Sequence, residues 1–286
     1  MRKTTLFKKL ILDPEILMMP VPHDVLSAKI LEQIGFKSLC VGGYAASATL
    51  LGQPDISLLS VTEMIDHFFR MVEAVDIPVF VDGDTGHGGV HNIRRMIKQI
   101  EKAGAAGIFI EDQVFPKRCG HMADKAVIST KEMVAKLKAA LDARIDPDFC
   151  IMARTDAIAV HGIEDAIERA CQYRETGADL IFVEAPQTIE DMKRINREIN
   201  APTLANIIEG GRTPEISVKE LETMGFNAVT YPTTATYTVA KAIFEVMGEL
   251  YSSGSTDKVR HRMFSFDEFN ELVGLSSLRE LEKKYI

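Results

Sequence analysis

Eight short apolar runs, separated by segments with helical periodicity, constrain the fold of this chain more than any other feature. The runs are "ILMMPV" from residue 16, "SLCVGG" from 38, "PVFVDGD" from 78, "GIFIED" from 107, "FCIMARTD" from 149, "LIFVEA" from 180, "PTLANI" from 202 and "AVTYP" from 228. Short apolar runs with few interruptions are typical of strands that are buried on both faces. Their alternation with helical segments predicts an α/β fold, a parallel (β/α)8 barrel.

Glycines near the ends of four helical segments support this prediction. Each stands a few residues before the next apolar run, where left-handed helix caps occur. They are Gly35, Gly104, Gly177 and Gly225. Because no linker or low-complexity segment interrupts the pattern, we expect one barrel domain over residues 1–286.

The C-terminal stretch continues beyond the eighth unit. Residues 255–286 are predicted to form a helical extension, with helices at 266–273 and 276–284. Their apolar residues need a partner surface, either on the barrel or on a neighbouring subunit. These residues include Phe266, Phe269, Leu272 and Leu278.

Composition argues against several classes of partner. With 286 residues and 46% apolar content, the chain is long enough for one large core. A formal charge of −8 without a basic run argues against nucleic acid or an anionic membrane as partner. We find neither a signal peptide nor the roughly 18 consecutive apolar residues of a membrane span. We therefore expect a cytoplasmic protein that acts on a small molecule.

Polar residues follow the apolar runs at the positions where a barrel of this type forms its active site. They are Gly42, Gly43, Tyr44, Asp82, Asp84, Glu111, Asp112, Arg154, Asp156, Glu184, Asn206 and Glu209. On an extended backbone Asp82 and Asp84 point the same way and can share a cation. Oxygen ligands suit Mg²⁺ or Mn²⁺. An Asp-Gly-Asp sequence can also be a turn or a helix cap, but Glu111 on the next strand favours a metal.

Arg154 allows two interpretations. It can form a structural ion pair with Asp156, or it can bind a substrate carboxylate with its planar guanidinium. Its position after an apolar run, at the expected catalytic face, favours the second interpretation.

The sequence "EDQVFPKRCGHM", residues 111–122, contains the one cysteine with a polar, basic environment. Residues 113–124 are predicted to form a loop that closes over the metal site. We expect the neighbouring Lys117, Arg118 and His121 to lower the thiol pKa of Cys119. The thiol could be a nucleophile or a general acid, and a general acid better suits a metal-bound 2-oxo acid. The other three cysteines form no CxxC pair, which favours free thiols in a reducing compartment.

Five motifs together resemble one known superfamily. "VDGDTGHGG", "EDQVFPKRCGHM", "IMARTDA", "FVEAP" and "LANIIEGG" occur in the order and spacing of the isocitrate lyase and phosphoenolpyruvate mutase superfamily, from about residue 10 to the C-terminus. The K-[KR]-C-G-H loop is the mark of its lyases. The resemblance implies a Mg²⁺-dependent barrel that splits a 2-hydroxy dicarboxylate. It also implies a homotetramer, a dimer of dimers, in which paired subunits exchange C-terminal helices.

The resemblance also implies roles for individual residues. The metal shell would be Asp82, Asp84 and Glu111, with Asp55 supporting the metal's waters. The carboxylate of the 2-oxo acid would lie on Gly42, Gly43 and Tyr44, and the substrate would contact Gly120, Arg154, Glu184 and Asn206. Cys119 would be the acid, and Tyr44 is the candidate that assists removal of the hydroxyl proton.

Positions at which this chain differs from other members of the superfamily predict its substrate. The 2-methylisocitrate lyases carry "NITEFG" after strand seven and an arginine in the helix after strand eight. Here "NIIEGG" and Tyr237 occupy these places, and a third carboxylate would lack a cation. "FVEAP", "NIIEGG" and "FNEL" instead resemble lyases of 2,3-dimethylmalate and related 2-alkylmalates, which release pyruvate and a short acid such as propionate.

Three alternatives remain open at this point. They are a 2-methylisocitrate lyase, an oxaloacetate hydrolase or decarboxylase, and a non-enzymatic barrel that serves as a scaffold. The complete set of acidic residues and the loop thiol argue against the scaffold.

Overall fold

The chain forms eight parallel strands, one inside each of the eight apolar runs. A computed structural model describes residues 1–122 and 124–286; Ala123, within the loop predicted at 113–124, lies outside the described residues. The strands are β1 Leu17–Pro20, β2 Leu39–Val41, β3 Val79–Asp82, β4 Gly107–Glu111, β5 Cys150–Thr155, β6 Leu180–Val183, β7 Thr203–Asn206 and β8 Ala228–Tyr231. All eight predicted strands are confirmed.

The strands form one sheet that curves into a nearly closed barrel. Its order is β1-β8-β7-β6-β5-β4-β3-β2, and every ladder is parallel. Parallel neighbours put all strand ends of one kind at the same rim. The polar residues that follow the strands therefore meet at the C-terminal rim, and the prediction of a (β/α)8 barrel is confirmed.

Helices precede, connect and follow the strands. They are α1 Lys3–Ile11, α2 Val25–Ile34, α3 Gly43–Leu51, α4 Val61–Ala74, α5 Val90–Lys102, α6 Thr130–Ala143, α7 Ile158–His161, α8 Ile163–Thr176, α9 Ile189–Glu198, α10 Val218–Met224, α11 Thr234–Ser253, α12 Phe266–Leu272 and α13 Leu275–Glu282, with a 3₁₀ helix at Arg260–Arg262. Ser60 and Ser217 begin α4 and α10 with capping boxes. Gly35, Gly177 and Gly225 end their helices in the left-handed conformation, as predicted.

Aromatic side chains fill the barrel interior below the C-terminal rim. Phe7 of α1 stacks on Phe80 of β3 with ring centroids 5.0 Å apart, and Phe109 meets Phe182 edge to face at 6.4 Å. These four rings belong to one buried apolar cluster. Because this interior is packed, a ligand can enter only from the rim above Phe109 and Phe182.

Contacts divide the chain into two compact units, residues 1–234 and 235–286. The first contains the barrel. The second contains nearly all of α11, then the 3₁₀ helix, α12 and α13, and an ion pair joins Arg262 to Glu245 within it at 2.8 Å. The helices predicted at 266–273 and 276–284 correspond to α12 and α13. The prediction of one domain with an extension from residue 255 stays a prediction. Within the described residues, no helix combines the length and apolarity that a bilayer crossing requires.

Candidate active site

A cavity opens at the C-terminal rim of the barrel. Most of the predicted site residues line it: Gly42, Gly43, Tyr44, Asp55, Asp82, Cys119, Gly120, Arg154, Glu184 and Asn206. Asp84 and Glu111 lie behind this lining, in contact with Lys117 and Arg154. A second cavity, near the start of β1, is lined by none of the predicted residues.

One side of the cavity, which we call the acidic half, contains Asp55, Asp82, Asp84 and Glu111. Asp82 ends β3 and accepts hydrogen bonds from the backbone N–H groups of Gly43 at 2.9 Å and Asp84 at 2.8 Å. Burial and the nearby Asp84 carboxylate raise the pKa of Asp82 to about 7. Burial likewise raises the pKa of Glu111 well above its usual range, and Arg154 does not cancel the effect. Burial and neighbouring carboxylates therefore disfavour the ionised forms of Asp82 and Glu111 in the acidic half.

The expectation that Asp82 and Asp84 point the same way on an extended backbone is wrong. β3 ends at Asp82, and Asp84 has a φ of 46°, so the segment is not extended at the second aspartate. The two carboxylates come together because the chain turns there, and the Asp82 carboxylate accepts the Asp84 N–H. Asp is among the few residues with side chains that tolerate this left-handed conformation.

Lys117 lies inside the acidic half, a position that the sequence did not indicate. Its Nζ lies 2.7 Å from Asp55 Oδ2 and 2.8 Å from Asp84 Oδ1. Burial opposes its charge, but Asp84 and Asp55 outweigh burial and raise the pKa of Lys117 well above its usual range.

The other side of the cavity, the arginine half, contains Arg154, Asp156, Glu184 and Asn206. Arg154 donates to Asp156 from Nε at 2.9 Å and from Nη2 at 3.1 Å, and its Nη2 lies 2.8 Å from Glu184 Oε2. Its guanidinium also stands over the Phe182 ring, 5.0 Å from the centroid. Burial opposes the charge of Glu184, yet the field of Arg154 holds the pKa of Glu184 below its usual range.

Both interpretations of Arg154 therefore have a structural basis. Its ion pair with Asp156 exists, and the same side chain lines the cavity. Asn206 donates from Nδ2 to Glu184 Oε1 at 3.3 Å, which places the amide at the same wall. The arginine half is a connected set of opposite charges that faces the opening.

The segment between β4 and α6 is fastened at its base and within itself. Gln113 pairs with Val127 in an antiparallel bridge. The Gln113 carboxamide donates to the Arg118 carbonyl at 2.8 Å and accepts from the Arg118 N–H at 3.1 Å. Arg118 stands between Lys117 and Cys119, so this reciprocal pair fixes the backbone that carries both. These contacts hold Gln113 and the Arg118 backbone in place, and the prediction that the loop closes by moving stays a prediction.

The predicted lowering of the Cys119 pKa is wrong. Burial of the thiol raises its pKa, and this effect exceeds the opposing influence of a hydrogen bond to His121 and of Arg154. The Lys117 ammonium is directed at Asp55 and Asp84, so it is paired elsewhere. A thiol with a raised pKa keeps its proton at neutral pH.

Gly120 and His121 bring this segment onto the arginine half. A Cβ on Gly120 would lie 2.3 Å from Arg154 Nη2 and 2.4 Å from Glu184 Oε2, so only glycine fits there. His121 Nε2 lies 3.2 Å from Glu184 Oε1, and its Nδ1 accepts from the Arg212 N–H at 2.9 Å. The sequence indicates His121 only as a basic neighbour of the thiol, and nothing in the sequence predicts its contact with Glu184.

The glycines after β2 form the start of α3. Gly42 is the N-cap residue and Gly43 is the first helical residue, with Tyr44 next to it. A helix N-terminus directs backbone N–H groups and a partial positive charge toward an anion. The predicted carboxylate cradle therefore has suitable geometry, and its role stays a prediction.

The acidic half fits a hard divalent cation. Oε1 of Glu111 is buried and accepts no hydrogen bond from the described residues, and the pKa of both Asp82 and Glu111 is raised. A cation would relieve both features. Across residues 1–122 and 124–286, no three His, Cys, Asp or Glu side chains are placed to hold an ion together. Mg²⁺ usually keeps several waters and takes one or two carboxylates directly, so this spacing suits it.

The chain matches the sequence profile of phosphoenolpyruvate phosphomutase over residues 7–251. It is 46% identical to the 2,3-dimethylmalate lyase of Eubacterium barkeri over 97% of this chain and 96% of that protein. It is 44% identical to the petal death protein of Dianthus caryophyllus, over 99% of this chain and 89% of the other. It is 38% identical to the 2-methylisocitrate lyase of Aeropyrum pernix, over 96% and 88% of the two chains.

Two solved structures extend the comparison. A 2,3-dimethylmalate lyase, described as a member of the PEP mutase/isocitrate lyase superfamily, superposes with a TM-score of 0.93 at 29% identity, over 100% of this chain and 96% of that chain. A phosphonopyruvate hydrolase in complex with oxalate and Mg²⁺ gives a TM-score of 0.90 at 27% identity, over 100% and 99%. The chain belongs to the PEP mutase/isocitrate lyase superfamily, and it is a carbon–carbon lyase.

Proposed function

We propose that this enzyme cleaves a 2-hydroxy dicarboxylate of the 2-alkylmalate class, such as 2,3-dimethylmalate, to pyruvate and a short acid such as propionate, with Mg²⁺ as cofactor. The observation that carries the proposal is the placement of the Cys119 segment between two halves of opposite character. One half has excess carboxylates, and the other presents an arginine. The 46% identity to a 2,3-dimethylmalate lyase supports the same substrate.

Asp82, Asp84 and Glu111 would form the metal shell, one or two of them by direct contact and the rest through waters, and Asp55 would orient those waters. When bound, the ion would stabilise negative charge on the oxygens of the 2-oxo acid. The N-terminus of α3, with Gly42, Gly43 and Tyr44, would bind the carboxylate of that fragment. Mn²⁺ is an alternative ion, because its ligand preferences are similar. The Mg²⁺ in the phosphonopyruvate hydrolase structure supports this assignment.

The chain's own groups would move two protons. As the C2–C3 bond breaks, the substrate hydroxyl passes its proton to a base with assistance from Tyr44, and its oxygen becomes the carbonyl oxygen of pyruvate. The bonding electrons pass to C3 of the other fragment, which Cys119 protonates from its S–H group. A raised thiol pKa suits this role, because the donor must hold its proton until the carbanion forms. Arg154, Glu184 and Asn206 would position the departing carboxylate.

The charges around the cavity favour a substrate with two carboxylates. Among the described residues that line it, the basic side chains are Lys117, Arg154 and His121. Lys117 pairs with two carboxylates, Arg154 pairs with three, and His121 lies against Glu184. A third substrate carboxylate would therefore be buried without a free cation, which is costly. This argument disfavours 2-methylisocitrate.

A turnover panel tests the proposal. Malate, 2-methylmalate, 2,3-dimethylmalate, oxaloacetate and 2-methylisocitrate would be incubated with the Mg²⁺-loaded enzyme, and products would be identified by NMR. We expect the highest kcat/KM with 2,3-dimethylmalate or 2-methylmalate. Preference for 2-methylisocitrate, or release of oxalate or carbon dioxide from oxaloacetate, would establish one of the alternative activities. Absence of turnover across the panel would contradict this substrate class.

We also propose a cytoplasmic homotetramer that uses its C-terminal helices as contacts between subunits. Large apolar side chains of the second unit are exposed, among them Phe244, Tyr251, Phe266 and Leu278. All four cysteines are free, which suits a reducing compartment. Deletion of residues 255–286 should dissociate or aggregate the protein. Light scattering that gives the truncated form the parent's subunit number would contradict this part of the proposal.

A further inference from the structure

Lys125 connects the Cys119 segment to the barrel wall. Its side chain is 1% exposed, and its Nζ lies 2.7 Å from Asp156 Oδ1. The same ammonium donates a hydrogen bond to the Gly120 carbonyl. Gly120 directly follows Cys119, so one buried cation joins the backbone beside the thiol to a residue at the end of β5.

Asp156 is the fixed end of this connection. It is fully buried, and its Oδ1 accepts from Arg154 Nη2 at 3.1 Å as well as from Lys125. Its backbone N–H donates to Asp112 Oδ1 at 2.9 Å, and Asp112 is held in turn by the hydroxyl groups of Thr155 and Tyr173, each at 2.8 Å. A residue with this many buried partners has little freedom to move. The Asp156 carboxylate therefore fixes the positions of both Lys125 and Arg154.

We propose that Lys125 is a positioning residue that seats the Cys119 thiol above Arg154. The proposal rests on the proposed function in one respect only, the role of Cys119 as the acid. Contacts between Gln113 and the Arg118 backbone set the segment's shape, and two contacts fasten it to the acidic half: the Lys117 ion pair with Asp55 and the Cys119 N–H, which donates to the Asp55 carbonyl at 3.3 Å. Lys125 sets where that shape lies relative to Arg154 and Glu184, which Gly120 approaches so closely that a Cβ would not fit.

The rate at which Cys119 is alkylated reports on the position of its thiol, and this measurement does not depend on turnover. Cys119 and Cys171 are both partly buried, and burial raises the thiol pKa of both, so Cys171 on α8 is an internal reference. The full-length protein would react with iodoacetamide between about pH 7 and about pH 9.5, so that accessibility and pKa separate, and mass spectrometry would quantify each cysteine peptide. The variants are Lys125→Met, which keeps the apolar stem, and Lys131→Met, an exposed control at the start of α6.

For Lys125→Met we expect Cys119 to react about tenfold faster while Cys171 changes by less than about twofold. We expect kcat to fall about 10- to 100-fold with KM within about threefold, because a small displacement of a reacting group is costly. Lys125→Arg retains the charge and should lie nearer the parent in both measurements. Lys131→Met should match the parent.

Each other result is also decisive. Parent-like alkylation of Cys119 in Lys125→Met would overturn the proposal. Equal acceleration at Cys119 and Cys171 would also overturn it, because the lysine would then support the barrel in general. Faster alkylation of Cys119 with unchanged kcat would support the seating role and contradict the acid role of Cys119. The two failures are therefore distinguishable.

Discussion

The two halves of the cavity differ in how their charges are balanced. In the acidic half, the carboxylates of Asp55, Asp82, Asp84 and Glu111 share the ammonium of Lys117. In the arginine half, the carboxylates of Asp156 and Glu184 face the cations of Arg154 and Lys125. One side thus has four carboxylates around one ammonium, with Glu111 also 3.4 Å from Arg154 Nε, and the other has two carboxylates for two cations.

The pKa shifts of two buried glutamates report the same contrast. Glu111 and Glu184 are both 1% exposed, yet the pKa of Glu111 is raised and that of Glu184 is lowered. Burial raises both, so the difference comes from the neighbours: Arg154, His121 and Lys125 together outweigh burial at Glu184, whereas Arg154 and Lys117 do not outweigh it at Glu111. The comparison teaches that the cations of the arginine half balance its carboxylates, whereas the acidic half has carboxylates in excess, which is the property that the proposed Mg²⁺ site requires.

Removal of divalent ions should have the largest effect. Chelator-treated enzyme is expected to lose activity by at least about 10³-fold, because the excess carboxylates of the acidic half would lack their cation. Mg²⁺ or Mn²⁺ should restore turnover, measured as pyruvate release. Full activity in buffer freed of divalent ions would contradict the proposal that the acidic half needs a cation.

Cys119→Ser tests the group that lies between the halves. The serine hydroxyl has a far higher pKa than the thiol, so proton donation should slow and kcat should fall about 10²- to 10⁴-fold. Affinity for the substrate, measured by calorimetry with the inactive variant, should change little, because the carboxylate contacts come from Gly43, Arg154 and Asn206. A kcat within about threefold of the parent would show that Cys119 only packs the segment.

The matched variants Glu111→Gln and Glu184→Gln sharpen the comparison in metal-free protein at about pH 8. Glu184 has a lowered pKa, so its charge stabilises the fold above the usual carboxyl pKa, and Glu184→Gln should reduce the free energy of unfolding by about 3 kcal/mol. Glu111 has a raised pKa, so its charge destabilises the fold at this pH, and Glu111→Gln should increase that free energy by about 1 kcal/mol. Urea unfolding measures both. Shifts of the same sign would mean that the halves do not differ in charge balance.

The last test concerns pH. The pKa of Asp82 rises from 3.8 to about 7 on folding without metal, so in this window the folded protein binds more protons than the unfolded chain. The free energy of unfolding of metal-free protein should therefore lose about 1.4 kcal/mol per pH unit from this group as pH rises. The stabilisation by saturating Mg²⁺ should grow over the same window. A stabilisation that is constant between about pH 5 and pH 7 would contradict the raised pKa.

Much of the fold and the membership of the site followed from local patterns. The eight strands and three glycine caps were predictable because burial on both faces and a left-handed cap each leave a short-range signal. The clustering of Asp82, Arg154 and Glu184 followed from the rule that strand ends of a parallel barrel meet at one rim. The thiol pKa of Cys119 was mispredicted, because adjacency in sequence says nothing about burial or about where a lysine points.

By itself, the sequence determined the barrel, the rim residues and the superfamily, since hydrophobic period and motif spacing are local properties. Only the tertiary structure decided which charges are paired. It directed Lys117 to Asp55 and Asp84, placed Lys125 between Asp156 and the Gly120 carbonyl, and buried the thiol of Cys119. These outcomes depend on distances between groups far apart in the chain and on the removal of water around them. Electrostatic energies change steeply with both quantities.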